Sequence, residues 1–218
     1  MTNPTIKHNG TLIIITMLMA WIALIGQLYL ILLYRKNSIP VTIIQFFSYF
    51  TILSNLLVAT CTTYIWKDKE GRWKKFFSSP AVLSAIALYI TITGVVYNAI
   101  MRFLWTPTGA QQIVDELLHS VVPLLFLGYW IFNVPKQTLQ WKSFLPWLWF
   151  PFLYCMYILV RGAITNFYPY PFMDVVSLGY PKVILNCAWL VLAFLLLSLF
   201  FIAAAKLLSR YQLKTNLL

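Results

Sequence analysis

The sequence predicts an all-α, polytopic membrane protein built as a bundle of six transmembrane helices. Of its 218 residues, 61% are hydrophobic and only 10% are charged, whereas an average soluble domain carries roughly 25% charged residues. Apolar stretches of about 20 residues, the length that crosses a bilayer as a helix, recur along the chain. We therefore expect a single six-helix transmembrane domain over residues 1–218 and no soluble domain.

Six stretches meet this length requirement. In chain order they are Thr11–Tyr34, Thr42–Trp66, Ala81–Leu104, Ile113–Phe132, Phe144–Gly162 and Lys182–Leu208. Short connections rich in helix breakers separate them, such as Asn133-Val134-Pro135-Lys136. The first stretch is longer than the apolar region of a secretory signal, roughly 7 to 15 residues, and no small-residue cleavage pattern follows it. We expect it to be a permanent helix.

The formal net charge of +11 is divided unevenly between the two sides of the predicted membrane. The side that holds both termini carries Lys7, Lys67, Lys69, Arg72, Lys74, Lys75, Lys136, Lys142, Lys206, Arg210 and Lys214. The positive-inside rule places this side, and therefore both termini, in the cytoplasm. Orientation and attraction to anionic headgroups account for the charge, so we expect no nucleic-acid binding. A helical bundle favours a bacterial inner membrane over an outer one.

The sequence contains no pattern that predicts a cofactor. Cys61, Cys155 and Cys187 lie far apart in predicted helices, with neither a disulfide framework nor metal-ligand spacing. Phosphate-binding glycine loops and haem-attachment motifs are missing from the sequence. We therefore expect neither a metal nor an organic cofactor.

Polar residues inside the predicted helices are the main functional signal, because they are costly in a bilayer. Ser48, Thr51 and Asn55 are spaced by three and four, and so share one face of the second predicted helix. The third predicted helix has a stripe with the same kind of spacing, made of Thr91, Gly94, Asn98 and Arg102.

The fourth predicted helix carries an acid and a histidine one turn apart, Asp115 and His119. At ~1.5 Å of rise per residue, Thr51 lies about 13 Å and His119 about 9 Å below the outer boundary. The two side chains can therefore meet. Arg102 and Arg161 belong to the same outer end, which implies a polar cavity that opens outward.

Three segments carry a resemblance to a known family: FSYFTILSN at 47–55, HSVVP at 119–123 and NFYPYPF at 166–172. In order and helix placement they resemble the androgen-induced protein family. Its members are six-helix membrane proteins, and the characterised animal ones are intramembrane threonine hydrolases that cleave fatty acid esters of hydroxy fatty acids. The chain looks like a microbial relative. The resemblance implies Thr51 as nucleophile and His119 as its base, and it assigns no role to the loop at Tyr168–Phe172.

Under this interpretation the neighbouring polar residues have supporting roles. Asp115 would orient the imidazole of His119, as the acid of a hydrolytic triad does. Asn55 or Asn98 would donate a hydrogen bond to the developing oxyanion. A lipid carboxylate or phosphate would bind one of the two arginines, Arg102 or Arg161. The partners are then membrane lipids and an acyl-ester substrate.

Two other functions fit the same residues. A transporter would use the arginines to bind a small anion or lipid and His119 for proton coupling. In a non-catalytic lipid-binding or assembly protein, the polar stripes would only join helices. A transmembrane threonine commonly bonds its own helix backbone, and arginines at helix ends snorkel to headgroups. Thr51 separates the hypotheses, because hydrolysis alone requires its hydroxyl.

Overall fold

The computed structural model describes residues 10–67 and 71–215, which form helices and no strands. The α-helices are α1 (Gly10–Leu33), α2 (Ile39–Phe46), α3 (Phe50–Trp66), α4 (Arg72–Phe77), α5 (Pro80–Ala99), α6 (Ala110–Glu116), α7 (Val122–Asn133), α8 (Trp149–Thr165) and α9 (Val175–Thr215). Gly179 (φ 74°) interrupts α9 near its start. Short 3-10 turns cover Met101–Phe103, Trp141–Leu148 and Pro171–Met173. A π-helical segment, Leu117–Val121, joins α6 to α7. The predicted all-α class is confirmed.

Within the described residues, five stretches are long and apolar enough to cross a membrane. They are Gly10–Leu33, Pro80–Phe103, Ala110–Asn133, Trp141–Thr165 and Val175–Ser209. Helices α2 and α3 pass the same test together and make a sixth if the bent pair counts as one span. The chain is thus an integral membrane protein by helix length and composition, and its spans match the predicted ones in order.

The second predicted helix, Thr42–Trp66, is not continuous. It ends at Phe46, resumes at Phe50 and bends by 74° between the two parts. Ser48, which we expected on the same helical face as Thr51, lies in the intervening turn, where its hydroxyl donates to the Ile44 carbonyl at 2.6 Å. No proline or glycine occupies the turn, so the sequence carries no local signal for the break. The break makes Thr51 the second residue of a new helix.

The described chain divides into two compact units. The first contains the described residues up to Leu139 together with those from Ala205 onward, and the second is Gln140–Ala204. In the first unit, α1 packs on α3, and α5 packs on both α3 and α7. Helix α5 begins at a recognisable cap, because the Ser79 hydroxyl accepts from the Val82 N–H and Pro80 follows it.

The loop after α7 contains a buried lysine. Lys136 is 1% exposed, and its ammonium donates to the carbonyls of Trp130, Ile131 and Val134 at 2.7 to 2.8 Å. It also lies 4.8 Å from the centre of the Trp130 ring. Burial lowers the pKa of Lys136 to about 8, whereas the carbonyls and the ring favour the charged form. The side chain therefore terminates α7 by binding its last carbonyls.

The structure does not describe the side chains of four basic residues that were counted on the predicted cytoplasmic side. Lys7 and Lys69 lie outside the described residues, and so do the side chains of Arg210 and Lys214. The basic residues of α4, Arg72, Lys74 and Lys75, are on a short helix between two spans, as the loop assignment expects.

Candidate active site

Thr51 and His119 are in contact. The Thr51 Oγ1 and His119 Nε2 atoms lie 3.3 Å apart, across 68 positions of sequence. Thr51 is at the amino-terminal end of α3, and His119 is in the middle of the π-helical segment. Two helices that are distant in the chain therefore bring a hydroxyl and an imidazole within hydrogen-bond distance.

The second nitrogen of His119 defines the direction of that hydrogen bond. His119 Nδ1 lies 2.9 Å from the backbone carbonyl oxygen of Asp115. A carbonyl oxygen only accepts, so Nδ1 carries the proton and donates. In the neutral imidazole Nε2 is then an acceptor, and the Thr51 hydroxyl donates to it. This is the tautomer that a general base needs.

The Asp115 carboxylate does not take the position of a triad acid. It is buried and accepts from three side chains: the Tyr97 hydroxyl at 3.2 Å, Trp105 Nε1 at 3.1 Å and Gln111 Nε2 at 3.1 Å. Asp115 therefore orients His119 through its main-chain carbonyl, whereas we expected the carboxylate to do so. The Tyr97 ring stacks on the imidazole with centroids 3.8 Å apart and planes 12° apart, so Tyr97 contacts both the carboxylate and the imidazole.

The π-helical segment changes which side chains bind the backbone around His119. The Val122 N–H donates to the carbonyl of Leu117, five residues earlier, instead of to Leu118. The Leu118 carbonyl accepts from Asn55 Nδ2 at 3.1 Å. Pro123 has no N–H for the His119 carbonyl, which accepts from Asn98 Nδ2 at 3.2 Å. Side chains from α3 and α5 thus support the segment that carries the histidine.

Neither asparagine has an amide N–H left for an oxyanion. The other N–H of Asn55 donates to the Thr51 carbonyl at 2.9 Å, and that of Asn98 to the Gly94 carbonyl at 2.9 Å. Both side chains therefore link one helix to the π segment. Both asparagines lie beside Thr51 and His119, as predicted. Their hydrogen bonds go to backbone carbonyls, so they position the helices and do not donate to an oxyanion.

Gly94 allows α5 to approach this segment closely. A Cβ atom at Gly94 would lie 3.0 Å from the His119 carbonyl oxygen and 3.2 Å from Pro123 Cβ. Both distances are shorter than ordinary van der Waals contact, so a side chain would push the helices apart. The predicted stripe on the third helix thus faces the histidine through Gly94 and Asn98.

Arg102 is engaged by neighbours in the same unit. Its guanidinium lies 2.6 Å from a Glu116 carboxylate oxygen. It donates to Asn98 Oδ1 at 3.0 Å and to the Ser120 hydroxyl at 3.3 Å. Arg102 is therefore paired with Glu116 at an exposed position. Arg161, the second predicted anion-binding arginine, belongs to the other compact unit.

Several residues of this site are not identified by the sequence pattern. Tyr97 looks like an ordinary aromatic residue of a membrane helix and Trp105 like one just beyond the helix end, which gives no signal for their bonds to Asp115. Helical spacing could have predicted two of the hydrogen-bonded pairs. Gln111 precedes Asp115 by four residues, and Ser120 follows Glu116 by four. Among the described residues, no three histidine, cysteine or acidic side chains cluster as metal ligands do.

No family model, curated protein or solved structure matches this chain. The resemblance to the androgen-induced protein family therefore remains a prediction that rests on the three short segments.

Proposed function

We propose that this chain is an integral membrane hydrolase that cleaves lipid esters, with Thr51 as nucleophile and His119 as general base. The 3.3 Å contact between Thr51 Oγ1 and His119 Nε2 carries the proposal. The bond from Nδ1 to the Asp115 carbonyl adds to it, because it leaves Nε2 as the acceptor. A threonine hydroxyl is a weak nucleophile by itself and needs such a base.

In the first half of the reaction, His119 Nε2 takes the proton of the Thr51 hydroxyl while Oγ1 attacks the ester carbonyl carbon. The tetrahedral intermediate collapses when the carbon–oxygen bond to the alcohol breaks. The leaving alcohol receives the proton from Nε2. Thr51 then carries the acyl group as an ester.

In the second half, water attacks the acyl-threonine and gives a proton to His119 Nε2. The ester bond to Oγ1 breaks, the fatty acid leaves, and the proton returns to Oγ1. Hydrolysis thus regenerates the starting state without a metal or an organic cofactor.

The local environment favours negative charge beside Thr51. Thr51 lies in the first turn of α3, where the partial positive charge of the helix amino terminus favours a developing alkoxide or oxyanion. Asn55 and Asn98 act as positioning residues in this mechanism, since their N–H groups hold the backbone on either side of the reacting pair.

The location of the pair in helices that could span a membrane supports a lipid substrate. A membrane lipid with a long acyl chain reaches such a site laterally, and the androgen-induced protein family suggests an ester of a fatty acid. We further propose a bacterial inner membrane, which a helical bundle favours over an outer one. The distribution of lysine and arginine supports both termini in the cytoplasm.

The test compares purified wild type with Thr51→Ala, His119→Ala and Thr60→Ala on a panel of lipid esters. Thr60 is also a threonine of α3 but lies nine positions away from Thr51. Fatty acid release is expected to fall by roughly 10³-fold or more in the first two variants and to stay unchanged in the third, since nucleophile and base act as a unit. Intact-protein mass spectrometry should detect an acyl adduct in wild type and none in Thr51→Ala.

Transport is the alternative outcome of this experiment. A folded wild type that is inactive on every ester, or a Thr51→Ala variant with full activity, would overturn the hydrolase proposal. Uptake of an anion or lipid into vesicles that survives Thr51→Ala and is lost in His119→Ala would then support proton-coupled transport.

A further inference from the structure

The loop that follows α8 folds back onto the end of that helix. Asn166, in the left-handed conformation (φ 54°), ends α8 and donates its N–H to the Gly162 carbonyl at 2.8 Å. Tyr168 then lies directly on Gly162, where an added Cβ would overlap the tyrosine ring. The Phe172 carbonyl accepts from Asn186 Nδ2 at 2.8 Å, which ties the far end of the loop to α9.

This loop determines the environment of Arg161. The Phe167 ring lies 4.6 Å from the guanidinium carbon, a cation–π contact. Arg161 therefore has an aromatic face on one side of its guanidinium. The loop motif that resembles the family segment thus has a local task, which is to hold an arginine at the end of a membrane-spanning helix.

Arg161 differs from Arg102 in how its hydrogen-bonding groups are used. Its Nη1 atom is buried, and within the described part of the chain it has no hydrogen-bond partner. A buried guanidinium N–H without an acceptor is costly. An anionic acceptor that reached this N–H would remove that cost.

An apolar groove adjoins this arginine. It has a volume of 440 Å³ and is lined by Met156, Tyr157, Val160, Arg161, Ile164 and Thr165. Four of these side chains are hydrocarbon or aromatic, so the groove suits an acyl chain. Arg161 is one turn from the carboxyl end of α8, about 6 Å along the axis, where headgroups lie beside a spanning helix.

We infer that Arg161 and this groove bind an anionic phospholipid, with the phosphate on the guanidinium and one acyl chain along α8. Phosphate is the matching acceptor because a guanidinium presents paired N–H groups in a planar fork. The inference concerns the second compact unit alone and holds whether or not the chain is a hydrolase.

The experiment measures lipid retention by native mass spectrometry of the full chain, offered equal amounts of phosphatidylglycerol and phosphatidylcholine. We expect wild type to retain phosphatidylglycerol preferentially, and Arg161→Gln to retain about tenfold less of it. Lys182→Gln is the matched control, because Lys182 is an exposed cation of the same unit and its replacement removes the same charge. Ile164→Trp keeps the arginine but fills the groove, so it should lower retention as well.

Loss of retention in Arg161→Gln and Ile164→Trp, with Lys182→Gln unchanged, would support a built site. Equal losses in Arg161→Gln and Lys182→Gln would overturn it in favour of non-specific charge attraction. Equal retention of both lipids, or displacement of phosphatidylglycerol by equimolar oleate, would also reject the proposed occupant. If Arg161→Gln fails to fold, Arg161→Lys replaces it, since lysine keeps the charge but lacks the fork.

Discussion

The membrane-spanning helices of the two compact units differ in what covers them. In the apolar window of Pro80–Phe103, which contains α5, 67% of the residues are buried inside the protein, against 11% for Trp141–Thr165, which contains α8. Helix α5 is therefore stabilised by its neighbours, and its polar residues bind partners within the unit. Few residues in the window that contains α8 are buried, so lipid or another ligand can contact this helix. Polar residues on the two helices need different explanations for this reason.

The largest expected difference between the units is the cost of removing a leucine side chain. Leu88 in α5 is fully buried, whereas Leu153 in α8 is 60% exposed. We expect Leu88→Ala to lower the free energy of unfolding by roughly 2–5 kcal/mol because it leaves a cavity. Leu153→Ala should change it by less than about 0.5 kcal/mol. Unfolding in detergent, followed by circular dichroism, would measure both, and equal costs would contradict the contrast.

A lysine pair tests the same contrast with charge. Lys136→Met removes three bonds from the ammonium to carbonyls in the first unit, and we expect a loss of roughly 2–4 kcal/mol. Lys142→Met, at an exposed position of the second unit, should be nearly neutral. The same unfolding measurement applies. An unchanged free energy of unfolding in Lys136→Met would show that the buried ammonium makes no net contribution to stability.

Two glycines in the first unit test close approach to the π segment. Gly94→Ala places a methyl group against the His119 carbonyl and Pro123, and we expect a cost of roughly 1–3 kcal/mol. Gly128→Ala is the control, since its Cβ would meet nothing within 4 Å. That substitution should be neutral or stabilise by up to about 1 kcal/mol through helix propensity. Thermal unfolding midpoints that fall equally in both variants would refute the role of Gly94.

The smallest expected effect concerns Asp115, which contacts His119 through its main-chain carbonyl and not through its carboxylate. If the proposed mechanism holds, Asp115→Asn should lower ester hydrolysis by less than about tenfold, because the main-chain carbonyl still binds His119 Nδ1. A triad acid would cost roughly 10⁴-fold. Steady-state kinetics beside His119→Ala distinguish the two, and a loss as large as that of His119→Ala would restore the triad role.

The sequence predicts the class, the order of the spans and the proximity of Thr51 to His119, because apolar length and helical spacing depend on local chemistry. Other features depend on tertiary contacts. The break at 47–49 has no proline or glycine to mark it. The roles of Asn55 and Asn98 follow from a change of register in the neighbouring helix, for which Pro123 is the single local hint. The engagement of Asp115 by aromatic residues arises only once α5 and α6 have packed.

The π-helical segment also limits how this chain can change in length. One extra residue is accommodated between α6 and α7, and each helical residue turns the chain by about 100°. Deleting a single residue from Leu117–Val121 would restore an ordinary helix while rotating everything on one side of it relative to the other. His119 and Asp115 would then face residues other than Thr51. Among homologues, an alignment gap of one position here would mark chains in which the threonine and histidine have separated, even where both residues are still present.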